Sequence, residues 1–307
     1  MKKIFVTGGA GFIGRNLIRN LIKISEFQVT SIDNNYRWSN DEFAKNGIDE
    51  NNLKIINGDI CNKELINELI NENDIIIHLA GISQVITSIN NPDLTFEYNV
   101  IGTKNIVDFC TKYKKKLIFS SSREVYGTAK YMPIDLLHPL NQENPYGASK
   151  IIGESLIKSY SNSFGLEYII FRFANVYGQG DKGRVIPIFI DKMKNNEDIT
   201  IYGNDKIIDF VYIDDIVQAI YKVILRDDIV NETFNLGTGV ECTLQELAKK
   251  LLNITGSNSK LIFENNRKGE VDKFCADISY TKEKLDWNPE IDLKLGLNNT
   301  INGINTK

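Results

Sequence analysis

The feature of the sequence that most constrains the fold is a glycine-rich turn near its start. A short apolar segment, residues 3–7, runs into GGAGFIG at residues 8–14, and a segment of helical period follows. Glycines in such a turn allow a tight change of direction and let backbone N–H groups approach a pyrophosphate at the positive N-terminus of the helix. The turn therefore predicts a strand, a phosphate-binding loop and a helix in succession.

An acidic residue lies where a dinucleotide site needs one. Asp33 ends the second predicted strand, about 20 residues after the last glycine of the turn. A carboxylate there accepts hydrogen bonds from adenosine ribose hydroxyls and repels a 2′-phosphate, which favours NAD over NADP, although Arg37 close by weakens that preference. The predicted cofactor contacts of this region are Gly8, Gly11, Phe12, Ile13, Gly14, Asp33 and Asn34.

Beyond the turn, the chain alternates between two kinds of segment. Short β-branched runs and longer runs of helical period follow one another to about residue 215, which is typical of βαβ units around a parallel sheet. After residue 173 glycines crowd a loop and the pattern changes. We predict an α/β fold with a doubly wound parallel sheet in residues 1–173, segments around 209–236 that rejoin it, and a smaller interleaved lobe in residues 174–307. The predicted strands are 3–7, 27–33, 53–58, 74–80, 116–121 and 168–173, and the predicted helices are 11–24, 63–70, 94–110 and 146–163.

Composition limits the partners and the compartment. Lys and Arg number 36 against 40 Asp and Glu, a formal net charge of -4, so there is no basic field to hold nucleic acid or an acidic membrane. No apolar stretch approaches the ~20 residues of a membrane span, and the N-terminal apolar segment is too short for a signal peptide. The four scattered cysteines form no CxxC pair and predict reduced thiols rather than metal ligands. We expect a soluble, cytoplasmic protein without a metal.

A tyrosine and a lysine are candidates for chemistry. Tyr146 and Lys150 follow Pro145 and project from one face of the first turns of a predicted helix. A nearby ammonium lowers the pKa of a tyrosine from its usual value of about 10, which suits a general base or acid for a hydroxyl. Such pairs are common on exposed helices, so the hypothesis also depends on the cofactor turn and on the run Ser120 to Ser122 at a strand end, where a serine can donate to the substrate oxygen.

Together these residues resemble the extended short-chain dehydrogenase/reductase superfamily, in its NAD-dependent nucleotide-sugar epimerase and dehydratase branch. The matching motifs cover nearly the whole chain: TGGAGFIG at 7–14, GDI at 58–60, HLAG at 78–81, NVIGT at 99–103, SSSREVYG at 120–127, PYGASK at 145–150, RFANVYG at 172–178, DFVYIDD at 209–215 and RKGE at 267–270. The resemblance implies a Rossmann-like domain that holds NAD and a C-terminal lobe that holds a nucleoside-diphosphate sugar.

The resemblance also implies roles for single residues. The implied catalytic residues are Ser122, Tyr146 and Lys150, with Glu124 in a base-like position. The implied cofactor contacts beyond the glycine turn are Asp59, Ile60, Leu79, Ala80, Gly81, Asn99, Ser120, Tyr146 and Lys150. The implied substrate contacts are Ser122, Asn175 and Arg267.

Two positions depart from the motifs of this family. In its 4,6-dehydratases an Asp and a Glu follow the catalytic Ser or Thr as the acid and base that eliminate water, whereas this chain has Arg123 and Glu124. Because arginine does not lose its proton in proteins, the ordinary dehydratase acid is missing. Ile208 stands where the family places a phosphate-binding arginine and cannot form that charge-assisted contact. Arg184 is the predicted substitute among the substrate contacts.

The implied reaction begins when Tyr146, assisted by Lys150, removes the proton of the sugar 4-hydroxyl while hydride passes from C4 to the nicotinamide. We predict a nucleotide-sugar 4-epimerase, in which the ketone is reduced on its other face and NAD emerges unchanged. Two alternatives share the first step: a 4-dehydrogenase that releases the 4-keto sugar, and a 4,6-dehydratase that uses Glu124. A more distant alternative is a non-catalytic NAD-sensing protein. The resemblance further implies a homodimer through a four-helix bundle formed by helices 94–110 and 146–163 of each subunit.

Overall fold

A computed structural model describes residues 1–37, 52–203, 205–267, 269 and 271–305. The chain divides into two units, each assembled from several stretches. Unit 1 comprises Met1–Val125, Gln142–Arg172 and Val217–Phe234, and unit 2 comprises Tyr126–Asn141, Phe173–Ile216 and Asn235–Lys307. Residues 126–141 therefore lie in unit 2, whereas the sequence interpretation assigned them to the first domain.

The helices and strands follow one another in a regular alternation through unit 1. In chain order the elements are β1 (Lys2–Thr7), α1 (Phe12–Leu21), β2 (Phe27–Asp33), β3 (Leu53–Asn57), α2 (Lys63–Glu72), β4 (Ile75–His78), α3 (Val85–Asn90), α4 (Pro92–Phe96), α5 (Thr103–Lys112), β5 (Lys116–Ser122), α6 (Pro145–Phe164), β6 (Tyr168–Phe173), β7 (Asn175–Tyr177), α7 (Val185–Lys194), β8 (Ile199–Tyr202), β9 (Ile207–Ile208), β10 (Phe210–Tyr212), α8 (Ile213–Leu225), β11 (Glu232–Leu236), β12 (Cys242–Thr243), α9 (Leu244–Thr255), β13 (Leu261–Glu264), α10 (Ser279–Leu285) and α11 (Leu293–Asn305).

Seven of these strands form one sheet in the order β11-β6-β5-β4-β1-β2-β3. The pairs β1–β2, β2–β3, β1–β4 and β4–β5 are parallel, with Ile4 opposite Val29 on one side and Ile75 on the other. An order that starts at β1 and proceeds outwards in both directions is the doubly wound order of a Rossmann-like fold. It confirms the predicted α/β fold class.

Burial explains the composition of the central strands. Ile4, Phe5 and Val6 of β1 are fully buried, as are Ile76 and Ile77 of β4. Strands of a parallel sheet that helices cover on both faces read as continuous apolar runs rather than as alternating ones. These strands are therefore the part of the fold that is most visible in the sequence.

One predicted helix is interrupted in the structure. In place of a regular helix over residues 94–110, the chain forms α4, a π-helical turn at Glu97–Gly102, and α5. In the π turn the Asn99 side chain accepts a hydrogen bond from the Ile82 N–H (2.8 Å) and donates one to the Ile82 carbonyl (2.9 Å). Because this pairing is tertiary, the helical period does not reveal it, and the prediction is wrong at this turn.

Unit 2 is built from short paired strands and from helices. β7 pairs with β10 and β8 with β13 in parallel, and β9 pairs with β12 antiparallel. The fully buried Asp209, between β9 and β10 in the chain, accepts hydrogen bonds from the N–H groups of Thr238 (2.8 Å), Gly239 (3.0 Å) and Ala276 (3.2 Å). One carboxylate thus joins its own segment to two others of this unit, at residues 238–239 and at residue 276.

Two properties of the described residues bear on the environment of the chain. None of their helices has the length and apolar character needed to cross a membrane. Cys61, Cys110, Cys242 and Cys275 are free thiols. Burial raises the pKa of Cys242 to about 11 and that of Cys275 to about 12, so these thiols are protonated and unreactive at neutral pH.

Candidate active site

The glycine-rich turn joins β1 to α1 through close backbone contacts. Gly8 has a φ of +71°, and a Cβ at this position would lie 2.7 Å from the Ala80 nitrogen. A Cβ at Gly14 would collide with the carbonyl oxygen of Gly8, so only glycine suits both positions. Among the described residues no side chain caps α1 at Gly11, and an N-terminus of this kind is where backbone N–H groups bind a phosphate. The turn contains the predicted contacts Gly8, Gly11, Phe12, Ile13 and Gly14.

The carboxylate predicted to bind a ribose lies beside this turn. Asp33 ends β2, and its two oxygens accept hydrogen bonds from the N–H groups of Ala10 (3.1 Å) and Asn35 (3.0 Å). Burial raises the pKa of the Asp33 carboxyl, while these hydrogen bonds act in the opposite direction. Because each carboxylate oxygen accepts more than one hydrogen bond, Asp33 retains capacity for ribose hydroxyls.

The ends of β2 and β3 are held together by polar contacts. Asn34 Nδ2 donates to Asp59 Oδ2 over 3.1 Å, and the Gly58 N–H donates to the Asp33 carbonyl over 3.1 Å. Ile60, which follows Asp59 in the chain, is buried. The structure therefore brings together the predicted cofactor contacts Asp33, Asn34, Asp59 and Ile60.

His78 closes β4 within a buried chain of hydrogen bonds. Its Nδ1 lies 2.7 Å from Thr7 Oγ1, and its Nε2 lies 2.9 Å from Thr103 Oγ1. Burial, with a contribution from the charge of Lys150, lowers the pKa of His78 to about 3, so the ring is neutral at pH 7. Ser120 Oγ donates to the His78 carbonyl over 2.9 Å. The hydroxyl of Ser120, a predicted cofactor contact, thus donates its hydrogen bond to the neighbouring strand β4.

Residues 79–81 follow β4 and are shaped by close contacts. Leu79 and Ala80 donate their N–H groups to the carbonyl and the hydroxyl oxygen of Thr7, both over 3.2 Å. A Cβ at Gly81 would lie 2.6 Å from Asn99 Oδ1. The Asn99 amide also donates to Ser149 Oγ of α6 over 2.9 Å. Asn99, a predicted cofactor contact, therefore connects this segment to α6.

Helix α6 carries the candidate base and its cation. The Asn144 side chain caps the helix by accepting a hydrogen bond from a first-turn N–H at 2.8 Å. Tyr146 is 8% exposed and Lys150 is 5% exposed. Lys150 Nζ lies 5.9 Å from the centre of the Tyr146 ring and 4.8 Å from the centre of the Phe119 ring. The predicted pair is thus buried and lies on one face of one helix.

The Lys150 side chain is buried, and its ammonium faces aromatic rings. Within the described part of the chain its close neighbours are the aromatic rings of Phe119 and Tyr146. Burial lowers the pKa of Lys150 to about 8, and the Glu154 carboxylate acts in the opposite direction. An ammonium carries three N–H donors, so Lys150 has the capacity to donate hydrogen bonds to a ligand oxygen.

Ser122 and Glu124 belong to the turn that follows β5. Ser122 Oγ accepts a hydrogen bond from the Glu124 N–H (3.2 Å), which leaves the Ser122 proton available to a ligand. Glu124 is buried, and its Oε2 accepts from Asn144 Nδ2 over 2.9 Å while its Oε1 pairs with Arg123 over 3.0 Å. Both oxygens of this carboxylate thus have protein partners, one of which is the cap of α6.

Ser122, one of the predicted substrate contacts, lies in unit 1, and the other three lie on different elements of unit 2. Asn175 begins β7, and its buried Oδ1 has no hydrogen-bond partner among the residues that the structure describes. Arg184 precedes α7 and pairs with Asp181 over 2.9 Å. The Arg267 guanidinium lies 3.7 Å from the centre of the Tyr202 ring. Ile208, at the position of the missing arginine, is buried in β9.

Glu154 and Arg172 are two buried charged residues that the sequence analysis did not single out. Glu154 follows Lys150 by one helical turn, and Arg172 interrupts the otherwise apolar strand β6 (YIIFRF). They form a two-point ion pair with distances of 2.9 and 2.6 Å. A charge in a run predicted to be buried is the signal that could have revealed the pair, because such charges require a partner.

Comparison with known proteins identifies the class of enzyme. Residues 4–237 match the NAD dependent epimerase/dehydratase family, and the chain belongs to this family. It is 40% identical to a Methanocaldococcus jannaschii protein named "Putative UDP-glucose 4-epimerase", over 97% of both chains. Among solved structures, it resembles UDP-glucose 4-epimerase of Thermotoga maritima with UDP-glucose (TM-score 0.92, 30% identity, 99% of both chains). It also resembles dTDP-glucose 4,6-dehydratase of Streptomyces venezuelae with NAD bound (TM-score 0.93, 27% identity, 99% of this chain and 97% of that one).

The protein is thus an NAD-dependent enzyme of this family, and the residues of unit 1 fit the cofactor. The glycine turn leaves backbone donors for a pyrophosphate, since α1 has no side-chain cap among the described residues. Asp33 offers acceptors for a ribose. Lys150, a buried side chain, offers the donors of its ammonium group beside the Phe119 ring. These features match the pyrophosphate and the hydroxyl groups of NAD.

Proposed function

We propose that the protein is a nucleotide-sugar 4-epimerase that oxidises the sugar C4 hydroxyl to a ketone and reduces it again from the other face. The observation that carries this proposal is the arrangement in unit 1 of a buried tyrosine, a buried lysine beside its ring and a serine at the end of β5. This is the set of groups needed to move a proton at one sugar hydroxyl.

Each of these side chains has a distinct proposed role. Tyr146 accepts the proton of the sugar 4-hydroxyl and later returns it to the ketone oxygen. Lys150 stabilises the tyrosine phenolate by its charge and donates hydrogen bonds to ribose hydroxyls of the cofactor. Ser122 donates its free proton to the sugar oxygen. When bound, NAD supplies the oxidant for C4 and the reductant for the return step.

The two units have different proposed tasks. Unit 1 holds NAD through the glycine turn, Asp33, Asp59 and the segment after β4. Unit 2 holds the nucleoside diphosphate through Asn175, Arg184 and Arg267. The unpaired Asn175 Oδ1 and the planar Arg267 guanidinium support this assignment, because an amide and a guanidinium are suited to recognising a nucleotide with its phosphates.

A specific observation favours epimerisation over dehydration. A 4,6-dehydratase needs an acid and a base beside the sugar, and here the two positions are Arg123 and Glu124. Arg123 does not lose its proton, and the Glu124 carboxylate is occupied by Arg123 and by the cap residue Asn144. Glu124 therefore acts as a support of the catalytic turn in our proposal rather than as a base.

Product analysis on a panel of nucleotide sugars tests the proposal. Purified enzyme is incubated with UDP-, GDP-, CDP- and dTDP-hexoses while the absorbance of reduced nicotinamide is followed. A 4-epimer without net NADH is expected for at least one sugar. Accumulation of NADH with a 4-keto sugar would indicate the 4-dehydrogenase, and a 4-keto-6-deoxy sugar would indicate the dehydratase.

We further propose a cytoplasmic homodimer that associates through α4–α5 and α6 of each subunit. A groove of about 240 Å³ lies on these helices, lined by Pro92, Phe96, Ala148 and Ile152 among others. Phe96 is 50% exposed there, and such apolar surface supports a helix–helix interface. Light scattering at micromolar concentration should report twice the chain mass, and a monomer would refute this assembly.

A further inference from the structure

Three polar side chains from β5, α6 and β6 bind one another next to the candidate catalytic residues. Glu154 Oε1 accepts hydrogen bonds from Ser121 Oγ (2.6 Å) and Arg172 Nε (2.9 Å), and its Oε2 accepts one from a second Arg172 nitrogen (2.6 Å). Lys158 approaches the same carboxylate at 3.7 Å. Ser121, Glu154 and Arg172 are all buried, with Glu154 only 2% exposed. We refer to these three residues as the buried triad.

The triad connects the three elements that hold the candidate site. Ser121 lies in β5 immediately before Ser122, Arg172 lies in β6, and Glu154 lies in α6 one turn after Lys150. Because residues four apart face the same side of a helix, Tyr146, Lys150 and Glu154 form one row along α6. The carboxylate of this row, that of Glu154, is therefore fixed to both β5 and β6.

The Glu154 carboxylate is held in its ionised form. Burial alone would raise the pKa of Glu154, but the hydrogen bonds and charge of Arg172, together with Ser121 and Lys158, lower it overall. The negative charge acts on Lys150 against the effect of burial. The other titratable groups around Lys150 are Tyr146 on the same helix and His78 on β4, whose ring is neutral at pH 7. Glu154 is thus the negative charge that favours a protonated Lys150.

We propose that Glu154 is a positioning residue for the reaction: held by Ser121 and Arg172, it keeps Lys150 protonated at working pH and fixes α6 against β5. This inference rests on the proposed roles of Lys150 and Tyr146. The other possibility is that the triad only ties α6 to the sheet. The positioning role and the purely structural role predict different results. If the triad only ties α6 to the sheet, its loss does not change the pH at which Lys150 loses its proton.

The test compares the pH dependence of two quantities in wild type and Glu154→Gln. The first is kcat/KM for epimer formation, and the second is the affinity of the enzyme for NAD, measured by calorimetry. In the wild type both should fall as pH rises through the Lys150 pKa of about 8. In Glu154→Gln both should begin to fall at least about one pH unit lower, because the opposing charge is gone. Glu68→Gln, an exposed change on α2, is the matched control and should leave both profiles unchanged.

Two further variants keep the inference falsifiable. Glu154→Gln leaves the Arg172 charge buried without its partner, which destabilises folds strongly. The double variant Glu154→Gln/Arg172→Met removes both charges and should show profiles shifted in the same direction but by less, because the Arg172 cation that opposes protonation of Lys150 is lost as well. Glu154→Asp keeps the charge and should titrate like wild type even if it is slower. Wild-type profiles in folded Glu154→Gln, or in the double variant where the single variant does not fold, would overturn the inference.

The design separates failure of this inference from failure of the proposed function. NAD affinity is measured without sugar, so it reports on Lys150 even if no nucleotide sugar is turned over. A shifted NAD profile with no epimerase activity would leave the inference standing and reject the proposed function. Normal epimerase activity with unshifted profiles in the double variant would reject the inference and leave the proposed function standing.

Discussion

The candidate residues of the two units are organised in different ways. In unit 1, Tyr146 and Lys150 are almost completely buried and are fixed by a capped helix and a buried ion pair. In unit 2, Arg267 is exposed and Arg184 is half-buried beside Asp181. The difference indicates that the groups proposed for proton transfer are held inside the fold, whereas the two arginines proposed for the nucleotide are open to solvent. Changes in unit 1 should therefore reduce kcat, and changes in unit 2 should raise KM.

Tyr146→Phe should have the largest effect, because it removes the proposed acid–base group and keeps the packing of the ring. Turnover should fall by about 100- to 10,000-fold, while NAD affinity should stay within a few-fold of wild type. Single-turnover kinetics and calorimetry measure the two quantities separately. Turnover at the wild-type rate would show that another residue is the base.

Lys150→Met should reduce both turnover and NAD affinity, by roughly 100-fold in kcat/KM. It should also change the pH dependence of stability. The folded-state pKa of Lys150, about 8, lies below its ordinary value of 10.5, so the unfolded chain binds more protons between these values and this group makes stability rise with pH in that window. Denaturant titrations from pH 8 to 10.5 should show that Lys150→Met loses this rise. If the free energy of unfolding depends on pH identically in both proteins, the pKa of Lys150 is not lowered in the folded protein.

Arg267→Met tests unit 2 and should affect binding more than chemistry. The loss of a charge-assisted contact to a phosphate is worth roughly 10- to 100-fold in KM, with kcat changed by less than about threefold. Steady-state kinetics on the sugar identified in the panel separates the two parameters. Lys260→Met in the same unit is the control. If kcat falls as much as KM rises, the contrast between the two units does not hold.

Asn144→Ala should have the smallest effect. It removes the cap of α6 and one partner of Glu124, which should lower the free energy of unfolding by about 1–2 kcal/mol. Because Tyr146 lies two residues further on, kcat should fall modestly as well. Denaturant unfolding measures the first effect, and Asn144→Asp, which keeps a capping oxygen, should lose less stability than Asn144→Ala.

The sequence predicts those parts of the molecule that depend on local chemistry. The glycine turn and Asp33 at the end of β2 follow from strand, turn and helix signals within one βαβ unit, and the pair on α6 follows from the helix signal after Pro145. The doubly wound parallel sheet follows from the alternation of strand and helix segments. The π turn around Asn99, the placement of residues 126–141 in unit 2 and the pairing of Glu154 with Arg172 depend on contacts between segments distant in the chain. The residue pattern within a single segment therefore does not reveal these three features.

The central claim is that Tyr146 serves a reaction in which the hydrogen of C4 leaves and returns to the same carbon. The most direct test uses the nucleotide sugar that is turned over in the panel, beginning with UDP-glucose, carrying deuterium at C4, and locates the deuterium in the product by NMR. We predict that the 4-epimer retains deuterium at C4 and that Tyr146→Phe forms almost none of it. Deuterium recovered at C6 or in released NADH would contradict the account.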